Sequence, residues 1–398
     1  MPLKPINLVG EQKKVLFLPA KEPIQIKGVA GSGKTTVSLY RAKHLLETQS
    51  NLFQEAKVAI FTFNTTLTAY IEAIKQNISG GYQKDSEVKI KRSQPGLNVL
   101  VINFHKWAYR FLSGKGINAY INTSSFKIWQ RDVLTVVVRD LSSQYPDSKV
   151  LSKKIEFFIE EIKWIKGKLF VSSEDYLNAS RVGRGTTDRI TKKDRGLVWR
   201  IFSAYNSELS KNGKVDFEDY AILTIREIEK DPQFSPPFTH IIIDEAQDLS
   251  KAQILALSKL VSDETRSISI IADAAQRIYK SGFTWSEVGI EVRGNRTLSL
   301  KKNYRNTEAI SLAATSLLRY DPDPSEFTMA EPARKGGKLP VLGYFMNWIF
   351  EGKFLVQEIQ KLDYKNELVV ILHRDWSGMR RISNLLNSYN IENEIINE

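Results

Sequence analysis

The chain has 398 residues, of which 42% are hydrophobic and 26% charged, an ordinary globular composition with room for two or three domains. It contains no cysteine, which excludes disulfide frameworks and thiolate metal sites, and its four histidines lack the spacing of a zinc motif. Lysine and arginine number 57 against 45 acidic residues, a net charge of +12, which fits a polyanionic partner such as nucleic acid and fits a solvated basic surface equally well.

The N-terminus does not resemble a targeting segment. It reads MPLKPINLVGEQKK, without the apolar stretch that a secretory signal needs, and the chain has no apolar run long enough to span a bilayer. We therefore expect a cytoplasmic protein with no membrane partner.

The first part of the chain alternates strand and helix patterns. Residues 23–47 predict a short apolar strand, a glycine-rich turn and a helix with one apolar face. Residues 57–64 and 97–105 predict two further buried strands. Strands that alternate with helices in this way are typical of a parallel α/β sheet.

The pattern changes between residues 112 and 214, where charged helical stretches such as 152–169 dominate. A basic segment at 181–196 holds six basic residues against two acids: Arg181, Arg184, Arg189, Lys192, Lys193 and Arg195. This segment is either a contact to a phosphate backbone or a solvated loop, and its composition favours neither.

Strand patterns return at 238–244, 267–273, 297–300 and 366–374. The predicted fold class is therefore α/β, with a helical insertion in a parallel-sheet domain, followed by part of a second α/β domain. The predicted boundaries are 1–111 for the first part of the sheet domain, 112–214 for the insertion, 215–296 for the second part of the sheet domain and 297–398 for the second domain.

A phosphate-binding turn is predicted between the first strand and its helix. Residues 28–35, GVAGSGKT, match G-x-x-x-x-G-K-[ST] at every fixed position and have the strand and helix that this motif requires. Glycines let backbone N–H groups surround phosphate oxygens, and the helix N-terminus adds partial positive charge. Lys34 is expected to reach the β- and γ-phosphates and Thr35 to bind Mg²⁺. The predicted nucleotide contacts of this P-loop are Gly28, Ala30, Gly31, Ser32, Gly33, Lys34, Thr35 and Thr36.

Two adjacent carboxylates follow the isoleucines in THIIIDEAQDLS, residues 239–250. A P-loop protein needs an acid at the end of another strand to hold Mg²⁺, and Asp244 is so placed. Glu245 is expected to act as the general base that polarises a water for attack on the γ-phosphate. The alternative for Glu245 is an acid in a first helical turn, favoured by the helix dipole. We favour catalysis because hydrolysis needs a base and no other residue is as well placed.

With these motifs the chain resembles the superfamily 1 helicases of the UvrD/Rep/PcrA type over nearly its whole length. The segments that carry the resemblance, in the family's order, are NLVGEQKKVL (7–16), GVAGSGKTT (28–36), FTFNTTLTAYI (61–71), INFHKWAYRFL (102–112), VDFEDY (215–220), IIIDEAQD (241–248), IADAAQRIYKSGFTW (271–285) and LKKNYRNTEAI (300–310). The resemblance implies two RecA-like domains that close on ATP, the second of them incomplete here, with the helical insertion as a subdomain over DNA.

The resemblance also implies nucleotide contacts outside the P-loop. Gln12 would read adenine, and Tyr304 would stack on it. Gln247 and Gln276 would lie near the γ-phosphate, with Gln276 linking it to the strand-binding surface. Arg305 would offset the charge of the transition state as an arginine finger does.

Four aromatic residues fall where the family stacks single-stranded bases. These are Phe63, His105, Tyr279 and Trp285. Stacking on aromatic rings tolerates any base sequence, which suits a motor that moves along a strand. For Trp285 the alternative is core packing.

Two later motifs of the family do not occur in this sequence: a T-x-H-x-x-K-G-L-E-like run and a V-A-x-T-R-A-like run. In the family the first supplies part of the DNA floor and the second a further arginine for the ATP site. Three explanations are open: a truncated gene, a split protein whose other half is a separate chain, or a degenerate ATPase used as a switch.

The resemblance therefore favours an ATP- and Mg²⁺-dependent DNA helicase or translocase, moving 3′ to 5′, whose hydrolysis is stimulated by single-stranded DNA. Its partner would be single-stranded DNA or a junction of single and double strands, with RNA not excluded. The alternative is a nucleotide-switched nucleic-acid-binding module, or one part of a split helicase or helicase–nuclease system that needs a protein partner.

Overall fold

The computed structural model describes residues 7–50, 56–63, 68–69, 71, 99–180, 190–273, 283–292, 294–318, 320, 329–364, 366 and 368–396. The chain forms two compact units, Met1–Lys335 and Gly336–Glu398. None of the helices described is both long and apolar enough to cross a membrane.

The strands and helices of the described chain are numbered in chain order. The strands are β1 Ile24–Gly28, β2 Val58–Thr62, β3 Val99–Asn103, β4 His240–Ile243, β5 Ser267–Ala272, β6 Thr297–Leu300, β7 Lys302–Thr307 and β8 Glu331–Arg334. The helices are α1 Lys34–Gln49, α2 Phe104–Gly114, α3 Thr123–Gln144, α4 Ile155–Gly167, α5 Ser173–Asn178, α6 Lys192–Lys211, α7 Asp219–Glu229, α8 Lys251–Ser258, α9 Glu308–Leu318, α10 Trp348–Gln360 and α11 Trp376–Ser388. Short 3₁₀ helices cover Gly10–Phe17, Ala246–Asp248 and Trp285–Val288.

A six-stranded parallel sheet in the order β3-β2-β4-β5-β1-β6 organises the first unit. Strands β2, β4 and β5 are buried along their whole length. Such continuous apolar strands need cover on both faces of the sheet. Successive side chains of β4 supply it, since Ile241 and Ile243 join one apolar cluster and Ile242 the other. The mainly parallel α/β fold predicted from the sequence is confirmed.

Strand β6 belongs to this first sheet, which differs from the boundary expected at residue 297. It pairs in parallel with β1, from Gln25 opposite Thr297 to Gly28 opposite Leu300. Leu300 is fully buried in the cluster that also contains Ile26 of β1. Burial of Leu300 in this cluster and the pairing with β1 hold TLSL at the edge of the first sheet.

The helical insertion has its own core. Helices α3 to α6 share a buried cluster that is centred on large side chains such as Phe158, Tyr176 and Tyr205. The cluster is separate from the two that cover the sheet. The insertion is thus stabilised by its own packing as well as by its attachment to the sheet.

The second unit contains α10 and α11 around a small cluster of Val356, Ile359, Ile382, Leu386 and Ile391. The strand expected at 366–374 is wrong for the described residues of that stretch, because 368–373 form neither strand nor helix. In the described part of this unit no other strand is present to pair with them. A strand without a neighbour cannot satisfy its backbone groups in a sheet.

Candidate active site

The P-loop runs from β1 directly into α1. Gly31 and Gly33 have φ values of 72° and 83°, a left-handed conformation that glycine adopts without strain. A Cβ at Gly28 would lie 2.7 Å from Cγ of Lys34, so this position also excludes a side chain. Ser32 is buried, whereas Ala30, Thr35 and Thr36 are half-buried along the same turn. The predicted P-loop residues therefore lie together at the N-terminus of a 16-residue helix.

Lys34 places a buried cation at the carboxyl ends of two neighbouring strands. Its side chain is only 6% exposed. Its Nζ donates to the carbonyl of Gly28 at 3.3 Å, at the end of β1. The same Nζ lies 3.5 Å from Oδ2 of Asp273, directly after β5. The lysine thus stands where parallel strands end, which is where α/β sheets bind ligands.

Asp244 carries a buried carboxylate at the end of β4. Its backbone N–H donates to the carbonyl of Phe61 at 2.9 Å, and its Oδ1 accepts from N of Glu245 at 3.1 Å. Its Oδ2 is buried and has no hydrogen-bond partner in the described chain. Burial and then the charge of Glu245 raise the pKa of Asp244 to about 7, while Thr35 and Lys34 act to lower it. A buried carboxylate oxygen of this kind, beside the Thr35 hydroxyl, suits a hard divalent cation.

Glu245 sits in a strained backbone conformation. Its φ of 52° and ψ of 44° are left-handed, which is uncommon for a residue with a side chain. Its Oε2 accepts a hydrogen bond of 2.6 Å from Nε2 of Gln247. Oε1 of Gln247 in turn accepts from the backbone N of Asp273 at 3.0 Å. Gln247 therefore bridges the ends of β4 and β5 and holds the Glu245 carboxylate.

Two acids of this site were not singled out from the sequence. Asp273 forms the ion pair with Lys34, and it follows the strand SISIIA directly, as Asp244 follows β4. Its position directly after an apolar strand is therefore the sequence feature that could have identified Asp273. Asp248 lies nearby, and burial together with Glu245 raises its pKa to about 6, while Lys34 lowers it. The site thus concentrates negative charge that a cation would stabilise.

Gln12 lies against the P-loop from the 3₁₀ helix Gly10–Phe17. Its Nε2 donates to the carbonyl of Ser32 at 2.8 Å, and its Oε1 accepts from N of Val9 at 3.0 Å. A Cβ at Gly33 would lie 2.6 Å from this Nε2. The predicted adenine-reading residue is therefore held by the phosphate-binding turn itself.

The segment with Tyr304 and Arg305 also packs on the P-loop. The backbone N of Tyr304 donates to the carbonyl of Gly31 at 3.0 Å. Asn303 is buried, and its Oδ1 accepts from N of Arg305 at 2.9 Å and lies where a Cβ of Gly31 would be. Asn303, which sequence reasoning missed, thus fixes the turn from which Arg305 extends.

Three of the predicted base-stacking residues are half-buried beside the sheet. Phe63 and Trp285 pack against the same apolar cluster, and Trp285 meets Phe283 edge to face with ring centres 5.6 Å apart. His105 lies 5.6 Å from the ring of Phe217, and burial lowers its pKa to about 4. Its imidazole is therefore neutral at pH 7 and packed among aromatic rings.

Several predicted residues lie outside the described part of the chain: Gln276, Tyr279, Arg181, Arg184 and Arg189. Among the other basic residues of 181–196, Lys192 and Lys193 are exposed at the start of α6. Arg195 instead donates to the carbonyls of Tyr176, Leu177 and Ala179 at 2.7 to 3.2 Å. Its guanidinium stabilises the end of α5.

Comparison with known proteins gives a family match over most of the chain. The sequence model of the UvrD/REP helicase N-terminal domain matches residues 8–288. The chain is 23% identical to a probable DNA helicase II homolog of Mycoplasma capricolum over 387 residues, 93% of this chain and 49% of that protein. It is 24% identical to the ATP-dependent DNA helicase PcrA of Staphylococcus aureus over 368 residues, 89% of this chain and 46% of that protein. The chain thus spans about half the length of the curated relatives it matches.

Proposed function

Because this chain belongs to the UvrD/REP helicase family, we propose that it is an ATP- and Mg²⁺-dependent motor segment that acts on DNA. The observation that carries the proposal is that the P-loop, Lys34 and the buried Asp244 lie at the carboxyl ends of the consecutive strands β1, β5 and β4. Cation, carboxylate and glycine turn are the groups that bind a nucleoside triphosphate with its metal.

Thr35 and Asp244 fit a magnesium ion. The unpartnered buried Oδ2 of Asp244 and the adjacent Thr35 hydroxyl are hard oxygen donors, of the type that Mg²⁺ binds together with phosphate oxygens and water. When bound, the ion would offset the negative charge of the phosphate oxygens.

The residues around the proposed magnesium site would each have a separate role in hydrolysis. Lys34 would hold the β- and γ-phosphates in place of its present contact to Asp273. Glu245 would accept a proton from the attacking water, with Gln247 holding its carboxylate in position. Arg305 would offset charge that develops on the γ-phosphate. Gln276, which lies outside the described residues, would link this phosphate to the DNA surface.

The other end of the nucleotide would lie between Gln12 and Tyr304. Gln12 keeps one donor hydrogen and one acceptor lone pair beyond its two present bonds, which suits the edge of an adenine ring. Tyr304 would stack on the ring face.

We propose single-stranded DNA, or its junction with a duplex, as the polymer, with movement from 3′ to 5′ and RNA not excluded. Phe63, His105, Tyr279 and Trp285 would support the bases, and the basic surface would attract the phosphate backbone. His105 and Trp285 would have to leave part of their present packing to stack on bases.

A second candidate function is a nucleotide-switched binding module that needs a protein partner for full activity. The second unit favours it, since Leu368 and Leu372 are 92% and 89% exposed and the described part of this unit contains no strand that could pack beside them. Such exposed apolar side chains are typical of surfaces that another polypeptide covers.

The proposal is tested by titrating a fluorescent ATP analogue in the presence of Mg²⁺. We expect Lys34→Ala to weaken binding at least tenfold, because an anion contact in a buried site is lost. Lys21→Ala, which removes an exposed lysine, is the matched control and should bind as the wild type does. Equal affinities for all three proteins would contradict the assignment of the site.

A further inference from the structure

Arg41 is a buried cation without a counter-ion. It lies in α1, about two turns after Lys34, and is fully buried. No carboxylate in the described chain lies within ion-pair distance of it, and its Nε has no hydrogen-bond partner there. Burial lowers its pKa to about 10, which leaves the guanidinium charged at pH 7. A buried charge of this kind is costly unless hydrogen bonds compensate it.

The guanidinium is held by three carbonyl groups. It donates to Val15 at 3.3 Å, to Leu18 at 2.8 Å and to Pro19 at 2.5 Å. Val15 lies in the last turn of the 3₁₀ helix Gly10–Phe17, where its carbonyl also accepts from N of Leu18, and Leu18 and Pro19 follow the helix. The carbonyl end of a helix carries negative partial charge, which the guanidinium offsets. Arg41 therefore fastens the end of this short helix to α1.

The same 3₁₀ helix reaches two other parts of the nucleotide site. Gln12 donates to the P-loop at Ser32. Glu11 accepts from the backbone N of Lys302 at 2.7 Å, two residues before Tyr304. An eight-residue 3₁₀ helix has weak hydrogen-bond geometry of its own, so its position depends on such outside contacts.

We propose that Arg41 is a positioning residue that sets the base selectivity of the nucleotide site through Gln12. The inference rests on the proposed ATP binding. By holding the 3₁₀ helix on α1, Arg41 fixes the distance between the phosphate end of the site at Lys34 and the base end at Gln12. Its loss leaves Gln12 held by its bonds to Ser32 and Val9 alone, so the amide can shift. The bonds within the P-loop remain, because none of the three carbonyls that Arg41 binds belongs to it.

The test compares the wild type with Arg41→Met, Arg41→Lys and Gln12→Ala. The affinities for ATP, GTP and inorganic tripolyphosphate are measured by competition with a fluorescent ATP analogue. We expect Arg41→Met to weaken the affinity for ATP about tenfold and to bring the ratio of the GTP and ATP affinities toward one. The affinity for tripolyphosphate should change by no more than about twofold. Arg41→Lys, which keeps the charge but not the reach across three carbonyls, gives an intermediate loss.

A double variant distinguishes positioning from general destabilisation. If Arg41 acts through Gln12, the double variant Arg41→Met with Gln12→Ala prefers ATP over GTP as strongly as Gln12→Ala alone does. Equal losses for ATP, GTP and tripolyphosphate, or additive effects in the double variant, would overturn the inference. If thermal unfolding shows that Arg41→Met is not folded, the same affinities are compared between the wild type and Arg41→Lys. Failure of the wild type to bind ATP would overturn the proposed function as well, whereas normal wild-type binding with equal losses overturns this inference alone.

Discussion

At the scale of single residues, the site was predictable where a residue's position along a strand determines its role. Asp244 follows three isoleucines, and the carboxyl ends of parallel strands meet at one edge, so its place beside Lys34 follows from the sequence. The bridge that Gln247 makes between Glu245 and Asp273 could not be predicted in the same way. It depends on side-chain directions after two different strands, which the apolar pattern of each strand does not specify.

His240 should make the protein sensitive to acid. It is almost fully buried in β4, and burial, with a smaller effect from Arg41, lowers its pKa to about 4. Between pH 6.5 and 4 the imidazole is protonated in the unfolded chain but not in the native protein. The free energy of unfolding therefore falls by about 1 kcal/mol for each pH unit by which the pH is lowered. We expect His240→Leu to remove that slope, measured by urea unfolding at pH 7 and pH 5.

The comparison isolates one imidazole, since the carboxyl groups and His105 titrate in both proteins. The prediction fails if wild type and His240→Leu lose the same free energy of unfolding between pH 7 and pH 5.

At the scale of elements, a buried ion cluster connects the helical insertion to the sheet domain. Lys166 at the end of α4 lies 2.7 Å from Asp216 and 2.7 Å from Asp219 at the start of α7. Burial alone would lower the pKa of Lys166, but the two carboxylates raise it above its ordinary value. The hydroxyl of Tyr205 in α6 also donates to Asp216, so one network joins α4, α6 and α7.

Breaking this cluster should destabilise the protein strongly. We expect Lys166→Met to reduce the free energy of unfolding by about 3–5 kcal/mol, because it leaves buried carboxylates without a cation. Lys211→Met removes an exposed lysine that pairs with Glu208 on α6, and it should change stability by less than about 1 kcal/mol. Chemical denaturation of both variants measures the difference, and similar small losses would mean that the cluster does not stabilise the junction.

The strands show why a sequence pattern predicts that a strand forms better than it predicts which strand it pairs with. Strands β4 and β5 are short apolar runs between turns, and they form as expected. TLSL at β6 was also recognised as a strand, but its pairing with β1 depends on a parallel register that no local pattern encodes. Residues 366–374 have the composition of a strand, yet the described part of this stretch lacks a neighbouring strand to pair with.

At the scale of the whole molecule, the charge of +12 should make binding to nucleic acid dependent on salt. Binding of a fluorescent single-stranded oligonucleotide should weaken about tenfold or more between 50 and 200 mM salt, because bound cations are released from the phosphates. Lys193→Ala should lower the slope of log affinity against log salt by about 0.7 if this exposed lysine contacts one phosphate. Lys361→Ala, in the second unit, is the control. An unchanged slope for Lys193→Ala would place the DNA path elsewhere.

The measurement that tests the central claim most directly is steady-state ATP hydrolysis with and without single-stranded DNA, for the wild type and for Glu245→Gln. Glu264→Gln, which changes an exposed glutamate, serves as the control. We predict that DNA stimulates hydrolysis many-fold in the wild type and the control, and that Glu245→Gln lowers the rate by about 10²–10⁴-fold while it still binds the ATP analogue. If every protein binds ATP and DNA but hydrolyses ATP only at the background rate, the result would contradict the proposed motor and favour the nucleotide-switched binding module. An undiminished rate in Glu245→Gln would show that Glu245 is not the general base.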